Sequence, residues 1–285
     1  MKDRQKAASE ETMRKTASGL LGSAILIAAM SVSALAADDG SPTVNNPGAW
    51  TDIRKDAFGS REILDGAGKI TLEAPKRAED AATVPITVRM PAPFAADVKS
   101  LTLVIDQNPS PVVATFNYGD AAGTGERMLA TRVRIDQYSD VRAIAETTDN
   151  KLYMTTVFVK ASGGCSAPAS KDPEEAAKEM GKMRVKTAAG KEDGSEVAQV
   201  MLKHPNTSGM AMDQITHAYP PARFIDKLSV TTGGKLIFSM EGGISISEDP
   251  NFRFTYQGNP ADKMDVKAED SEGTQFSGHS TPSQS

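Results

Sequence analysis

The feature that most constrains this chain is the run of short alternating segments that begins at residue 84. Apolar and polar residues alternate over 84–90, 101–106, 112–118, 128–136, 141–147 and 151–160. Such a run buries every second side chain, which suits a strand with one face on a core and not a helix. Pro, Gly and Asn punctuate the gaps, and Asp149-Asn150 has the composition of a two-residue hairpin turn. A second series covers 183–186, 196–203, 224–231, 235–240, 252–256 and 264–268, with Gly233-Gly234 as a turn. Between the two series, 161–170 reads Ala-Ser-Gly-Gly-Cys-Ser-Ala-Pro-Ala-Ser, which has no side chain large enough to pack a core. The pattern predicts an all-β protein of two sandwiches joined by a flexible linker. No repeat relates the two halves.

One helix is expected ahead of the strands. Asn46-Pro47 supplies a cap and a first-turn proline. Trp50, Ile53, Ala57 and Leu64 follow near helical spacing and Gly66 can stop the helix, which predicts a span of about 47–65. Its apolar stripe reads as core packing. Asp172-Pro173-Glu174-Glu175 is a second helix start, closing the linker.

The first 36 residues read as an address. Arg14 and Lys15 precede the apolar run 19–30, and Ala34-Leu35-Ala36 is a small-residue cleavage site. This is the anatomy of a secretory signal peptide cleaved after Ala36, and the run is short for a membrane span. The expected protein is soluble and extracytoplasmic, with no membrane contact after cleavage. No Arg-Arg pair precedes the run, which favours the general secretion route. The expected organisation is a signal peptide (1–36), a first sandwich with its helix (37–160), an arm and linker (161–181), a second sandwich (182–277) and a polar tail (278–285).

Composition excludes several functions. The net charge is −5, and removing the first 36 residues leaves about −7 on the remainder. Wrapping a phosphate backbone needs clustered Lys and Arg, so nucleic acid is not an expected partner. One cysteine and three histidines cannot build a four-cysteine or two-cysteine, two-histidine zinc site, and no disulfide can form within the chain. Gly-x-Ser-x-Gly, Walker, His-Glu-x-x-His and Gly-x-Gly-x-x-Gly motifs are missing. One thiol and scattered histidines show no nucleophile–base spacing, so the chain is not expected to be an enzyme or to need a cofactor or metal.

Cys165 is the informative residue. An unpaired cysteine is unusual in an oxidising compartment. A structural cysteine belongs inside a strand as a small buried hydrophobe, yet this one lies between Gly164 and Ser166. The position predicts an exposed, mobile thiol, with Gly163 and Gly164 giving the arm flexibility. Two readings stay open on spacing alone: a carrier thiol, or an incidental linker cysteine. His204, Met210, Met212 and His217 form a second cluster with donors for Cu(I), read here as core and turn residues. Asn206-Thr207-Ser208 is a formal glycosylation sequon, read as a coincidence of a turn.

Several stretches resemble a known family. Val84-Pro85-Ile86-Thr87-Val88, Asp106-Gln107-Asn108-Pro109-Ser110-Pro111, Thr131-Arg132-Val133-Arg134-Ile135, Val141-Arg142-Ala143-Ile144-Ala145-Glu146 and Val159 through Gly163-Gly164-Cys165 resemble SoxY. From Met183 the chain is similar to SoxZ, through Leu202-Lys203-His204-Pro205-Asn206-Thr207-Ser208-Gly209 and the stretch 225–238. The Trp50 segment and Pro75 to Ala82 resemble SoxYZ-like carriers encoded beside quinoprotein dehydrogenases. The resemblance implies an immunoglobulin-like sandwich in each half and a swinging arm whose Cys165 holds sulfur intermediates covalently. Implied partners are periplasmic sulfur-oxidising enzymes, or a PQQ-dependent quinoprotein dehydrogenase with its cytochrome. The alternative is a non-catalytic docking module for such a dehydrogenase, in which Cys165 is dispensable. One departure from SoxY is that the arm is internal and must enter a partner as a loop.

Overall fold

The computed structural model describes residues 47–168, 173–190, 195–213, 216–259 and 261–280. The expected signal peptide lies outside the described residues. Helix α1 (Pro47–Phe58) opens the fold, followed by strands β1 (Ile63–Asp65), β2 (Thr71–Glu73) and β3 (Val84–Met90). A single turn, α2 (Phe94–Asp97), leads into β4 (Val98–Ile105), β5 (Val112–Tyr118), β6 (Arg127–Val133), β7 (Ser139–Thr147) and β8 (Leu152–Val159). Helix α3 (Pro173–Glu179) precedes β9 (Met183–Ala189), β10 (Glu196–Leu202), β11 (Ile225–Thr232) and β12 (Lys235–Gly242). The series closes with β13 (Asn251–Tyr256), β14 (Met264–Asp270) and β15 (Gln275–His279).

The protein is all-β with short helices, and each alternating run becomes a strand. The burial of β3 shows why: Val84, Ile86, Val88 and Met90 are fully inside while the residues between them face outward. The Asp149-Asn150 turn joins β7 to β8, with Asn150 at φ 63° in the left-handed region that Asn tolerates.

The halves do not keep separate sheets. One sheet has nine strands in the order β1-β8-β7-β4-β5-β12-β11-β14-β15, and the other six in the order β2-β3-β6-β13-β10-β9. Each crosses from the first half into the second through one antiparallel pair. In the larger sheet Phe116 of β5 lies opposite Met240 of β12; in the smaller, Leu129 of β6 lies opposite Phe254 of β13. Thr255 extends the second seam, its Oγ1 accepting from Met128 N (2.9 Å) and donating to Glu126 O (2.9 Å). Two separate sandwiches would leave four strand edges open to water or to foreign strands, and pairing them here removes that liability. Behind the seams the aromatics form one cluster. Phe116 meets Phe238 and Phe252 with ring centroids at 5.6 and 6.0 Å, and Phe238 meets Phe254 at 4.9 Å. Burying each of these rings contributes about 2 kcal/mol.

Three local expectations are corrected. Helix α1 ends at Phe58, well short of residue 65, because Gly59 (φ 65°) takes the left-handed capping position and donates its N–H to Lys55 O. Leu64 then lies in β1, beside β8 in the one parallel pair among the described strands. The second sandwich continues past 277, since β15 pairs with β14 and Ser280 is buried and bridged to Val185. Finally, the arm is not a loose tether: Gly163, Gly164 and Cys165 are hydrogen-bonded into the body of the fold.

Helix α1 lies on the outer face of the nine-stranded sheet. Trp50, Ile53 and Phe58 pack with Ile63 and Met154 over Val104, Ile144 and Leu152. Beneath Trp50, at 4.3 Å from its ring centroid, lies the Arg142 guanidinium. That group is itself forked onto the buried Asp106 carboxylate, with Nε at 2.8 Å and Nη2 at 2.6 Å.

Candidate functional site

Cys165 sits at one end of the six-stranded sheet, where five chain segments meet. Beyond β6, Ile135 N–H donates to Ala81 O (2.9 Å), ahead of β3. The arm then lies on this corner, with Gly164 N–H donating to Ile135 O (3.0 Å) and Gly163 N–H to Asp136 O (2.7 Å). Gly163 is at φ 79°, which a side chain would strain. A Cβ on Gly164 would overlap the carbonyl oxygens of Ala81 and Ile135. The glycines therefore serve close backbone approach in this position, where flexibility alone was expected of them.

The second half closes over the arm. Arg134, 4% exposed, donates from Nη1 to Gly164 O (3.2 Å) and from Nη2 to Asn206 O (3.2 Å). Ser208 Oγ donates to Cys165 O. Each partner is fixed in turn. Asn108 Nδ2 donates to Arg134 O (2.7 Å) and Ser245 Oγ (2.9 Å). Asn206, fully buried, donates from Nδ2 to Ile246 O (3.1 Å) and accepts at Oδ1 from Ile225 N–H (3.0 Å). Residues of both halves thus build the seat, and a small cavity of about 20 Å³ remains beside it against Arg134, Ala167 and Ser208.

Cys165 is fully buried in this seat, where the sequence predicts an exposed thiol. Burial, reinforced by the Asp136 carboxylate, pushes the thiol up to about 12 against the opposing pull of the Arg134 guanidinium. Such a thiol stays protonated at neutral pH and is a poor nucleophile while seated. No base faces it. The arrangement can store and shield a sulfur atom but is not equipped to activate one.

In the second cluster, read from the sequence as core and turn residues, His204 takes a core position. His204 is buried, with Nδ1 against the Asn206 N–H (3.1 Å) and Nε2 facing Asp270 Oδ2 (3.5 Å), and burial holds it neutral by lowering its pKa. Both ring nitrogens are committed to the fold, and Met210 and Met212 lie in no strand. The sequon fails as an acceptor because the Asn206 amide is enclosed. Arg134, Asn108, Asn206 and Ser208 escaped the sequence reading, since a polar residue inside or just beyond an alternating run carries no mark of its partner.

Residues 54–165 match the family of the sulfur oxidation protein SoxY, and residues 183–281 that of the sulphur oxidation protein SoxZ. The chain is a SoxY–SoxZ fusion. The SoxY match ends on Cys165 itself, and the SoxZ match begins at the first residue of β9. By family the fusion is a carrier protein of sulfur oxidation, and both parts belong to families of carriers, not catalysts. Among solved structures, the sulfur carrier protein SoxY from Chlorobium limicola f thiosulfatophilum is similar at 26% identity. That match covers 40% of this chain and 93% of that one, with a TM-score of 0.33. No curated protein matches the chain in sequence.

Proposed function

We propose that this SoxY–SoxZ fusion is a periplasmic carrier that bears sulfur intermediates covalently on Cys165 and presents them to partner enzymes. The observation that carries this reading is the placement of the chain's one cysteine. It closes the SoxY match on a Gly-Gly-Cys segment that is seated by a few hydrogen bonds, all of them to its backbone. Loading requires the arm to leave its seat. Cys165 lies five residues beyond Lys160, which follows the last residue of β8, so a released arm reaches about 17 Å from the sheet. It leaves as a loop, because 166 onward runs into α3.

In the loaded state the thiol sulfur is joined to a sulfane sulfur of the cargo. Forming that bond removes two electrons and the thiol proton, which an oxidising partner takes; a separate enzyme hydrolyses the cargo. Those partners are periplasmic sulfur-oxidising enzymes, and the Trp50 segment brings a quinoprotein dehydrogenase with its cytochrome into the same class of candidates. Replacing Cys165 by Ser should abolish covalent loading while circular dichroism and the thermal transition stay close to those of the parent. Equal loading of the Cys165→Ser chain would sink the carrier reading and favour a docking module.

A further inference from the structure

The outer face of the six-stranded sheet carries a row of basic residues on an otherwise acidic molecule. Arg89 on β3, Arg132 on β6, Arg253 on β13, and Arg184 and Lys186 on β9 all point outward. The register sets them side by side: Arg253 lies opposite Ala130 and Gln199, Gln199 opposite Lys186, and Met201 opposite both Asn251 and Arg184. Arg89 is met by Glu73 (3.6 Å) and Glu126 (3.2 Å), and Arg132 is tied to Asp249 O (3.0 Å). Arg184, Lys186 and Arg253 are exposed and make no ion pair among the described residues. The whole chain, by contrast, has a net charge of −5.

The face is also concave. A groove of about 440 Å³ runs between Arg132, Lys182, Arg184 and Lys203 past the outward-facing Met201; Glu179 and Asp249 also line it and pair with Lys182 (4.0 Å) and Lys203 (2.6 Å), which leaves Arg184 as its unpaired cation among the described residues. A second, of about 330 Å³, continues along the sheet past Arg89 and Arg253. Arginine and methionine around a groove are the composition of a protein interface, and the arginine fork suits carboxylates. The groove lies at the arm's end of the sheet: Arg132 is two residues from Arg134, which grips Gly164, and β10 runs through Lys203 to the Asn206 and Ser208 of the seat. The field spans strands of both halves, so it exists only where SoxY and SoxZ parts share the sheet.

We propose that this face is the docking surface for a partner protein bearing an acidic patch, which it holds with the partner's active-site mouth at the end of the sheet from which Cys165 emerges. The proposal rests on the carrier reading only in identifying the partner as an enzyme that loads or unloads the arm. Charge complementarity would steer encounter and fix orientation, leaving the thiol to reach the partner's cleft.

The test uses the full mature chain carrying Cys165→Ser, so that no covalent chemistry intervenes, and poly-L-glutamate as the acidic probe. Binding is expected in low salt, to weaken about tenfold in the Arg184→Glu/Arg253→Glu variant, and to fade as salt is raised. Both substitutions are exposed and outside the arm seat, so the thermal transition should not move. Absence of binding to the parent, or equal binding to the variant, overturns the docking face. Thiosulfate alone competing as strongly, charge for charge, also overturns it and makes the groove a small-anion site. Labelling of Cys165 by tetrathionate in the otherwise parental chain reads the carrier function separately: its failure would remove the carrier reading and leave the docking face standing.

Discussion

At the scale of single residues, Cys165 is governed by a competition between burial and a neighbouring cation. Burial wins, and the seated thiol titrates near 12, whereas a released thiol titrates near 8.5. The seated state therefore keeps a proton that the released state loses, so rising pH above about 8.5 favours release. An alkylating reagent that reacts only with the released thiolate should label Cys165 at a rate that keeps climbing past pH 8.5. A permanently exposed thiol would level off there, and a plateau near 8.5 in the folded protein would show that the seat is not occupied. The sequence located Cys165 but misjudged its surroundings, for a physical reason. Small residues such as Gly163, Gly164 and Ser166 lack bulk to pack, which reads as exposure. The same lack of bulk lets backbone approach backbone, as Gly164 does against Ala81 and Ile135, and nothing in a single sequence separates the two uses.

At the scale of elements, the alternating strands were legible because seven or eight residues carry a clear period. β1 and β2 have three residues each, too few to show one. Helix α1 was legible at its start and not at its end, since Leu64 kept helical spacing by chance while Gly59 already capped the last turn. The helix is held by Trp50 over Arg142, and Arg142 in turn neutralises Asp106, whose side chain is 3% exposed. These two contacts differ in kind. Arg142→Met leaves a buried carboxylate without its cation and should cost about 3–5 kcal/mol in urea unfolding. Trp50→Ala removes half-buried aromatic surface and a cation–π contact, and should cost about 2 kcal/mol. The reverse order of the two losses would show that the helix, and not the ion pair, stabilises this edge of the sheet.

At the scale of the molecule, two series of strands were legible and their union was not. Alternation tells which face of a strand is buried but nothing about which edges pair, so the β5–β12 and β6–β13 seams had no signal in the sequence. Those seams matter for function because they place Asn206 and Ser208 of the SoxZ part over an arm that belongs to the SoxY part. The fusion thus carries both the thiol and the seat that shields it, and the basic face beside that seat spans both parts. The central claim is that Cys165 bears the cargo. Its most direct test is the intact mass of the chain isolated from its host without reductant, repeated after reduction, with the difference mapped to a peptide. A reducible adduct of sulfur atoms or a sulfur oxyanion on the peptide containing Cys165 is the expected result. A bare thiol at Cys165 that stays unmodified after incubation with thiosulfate or sulfide and the host's sulfur-oxidising enzymes would contradict the account.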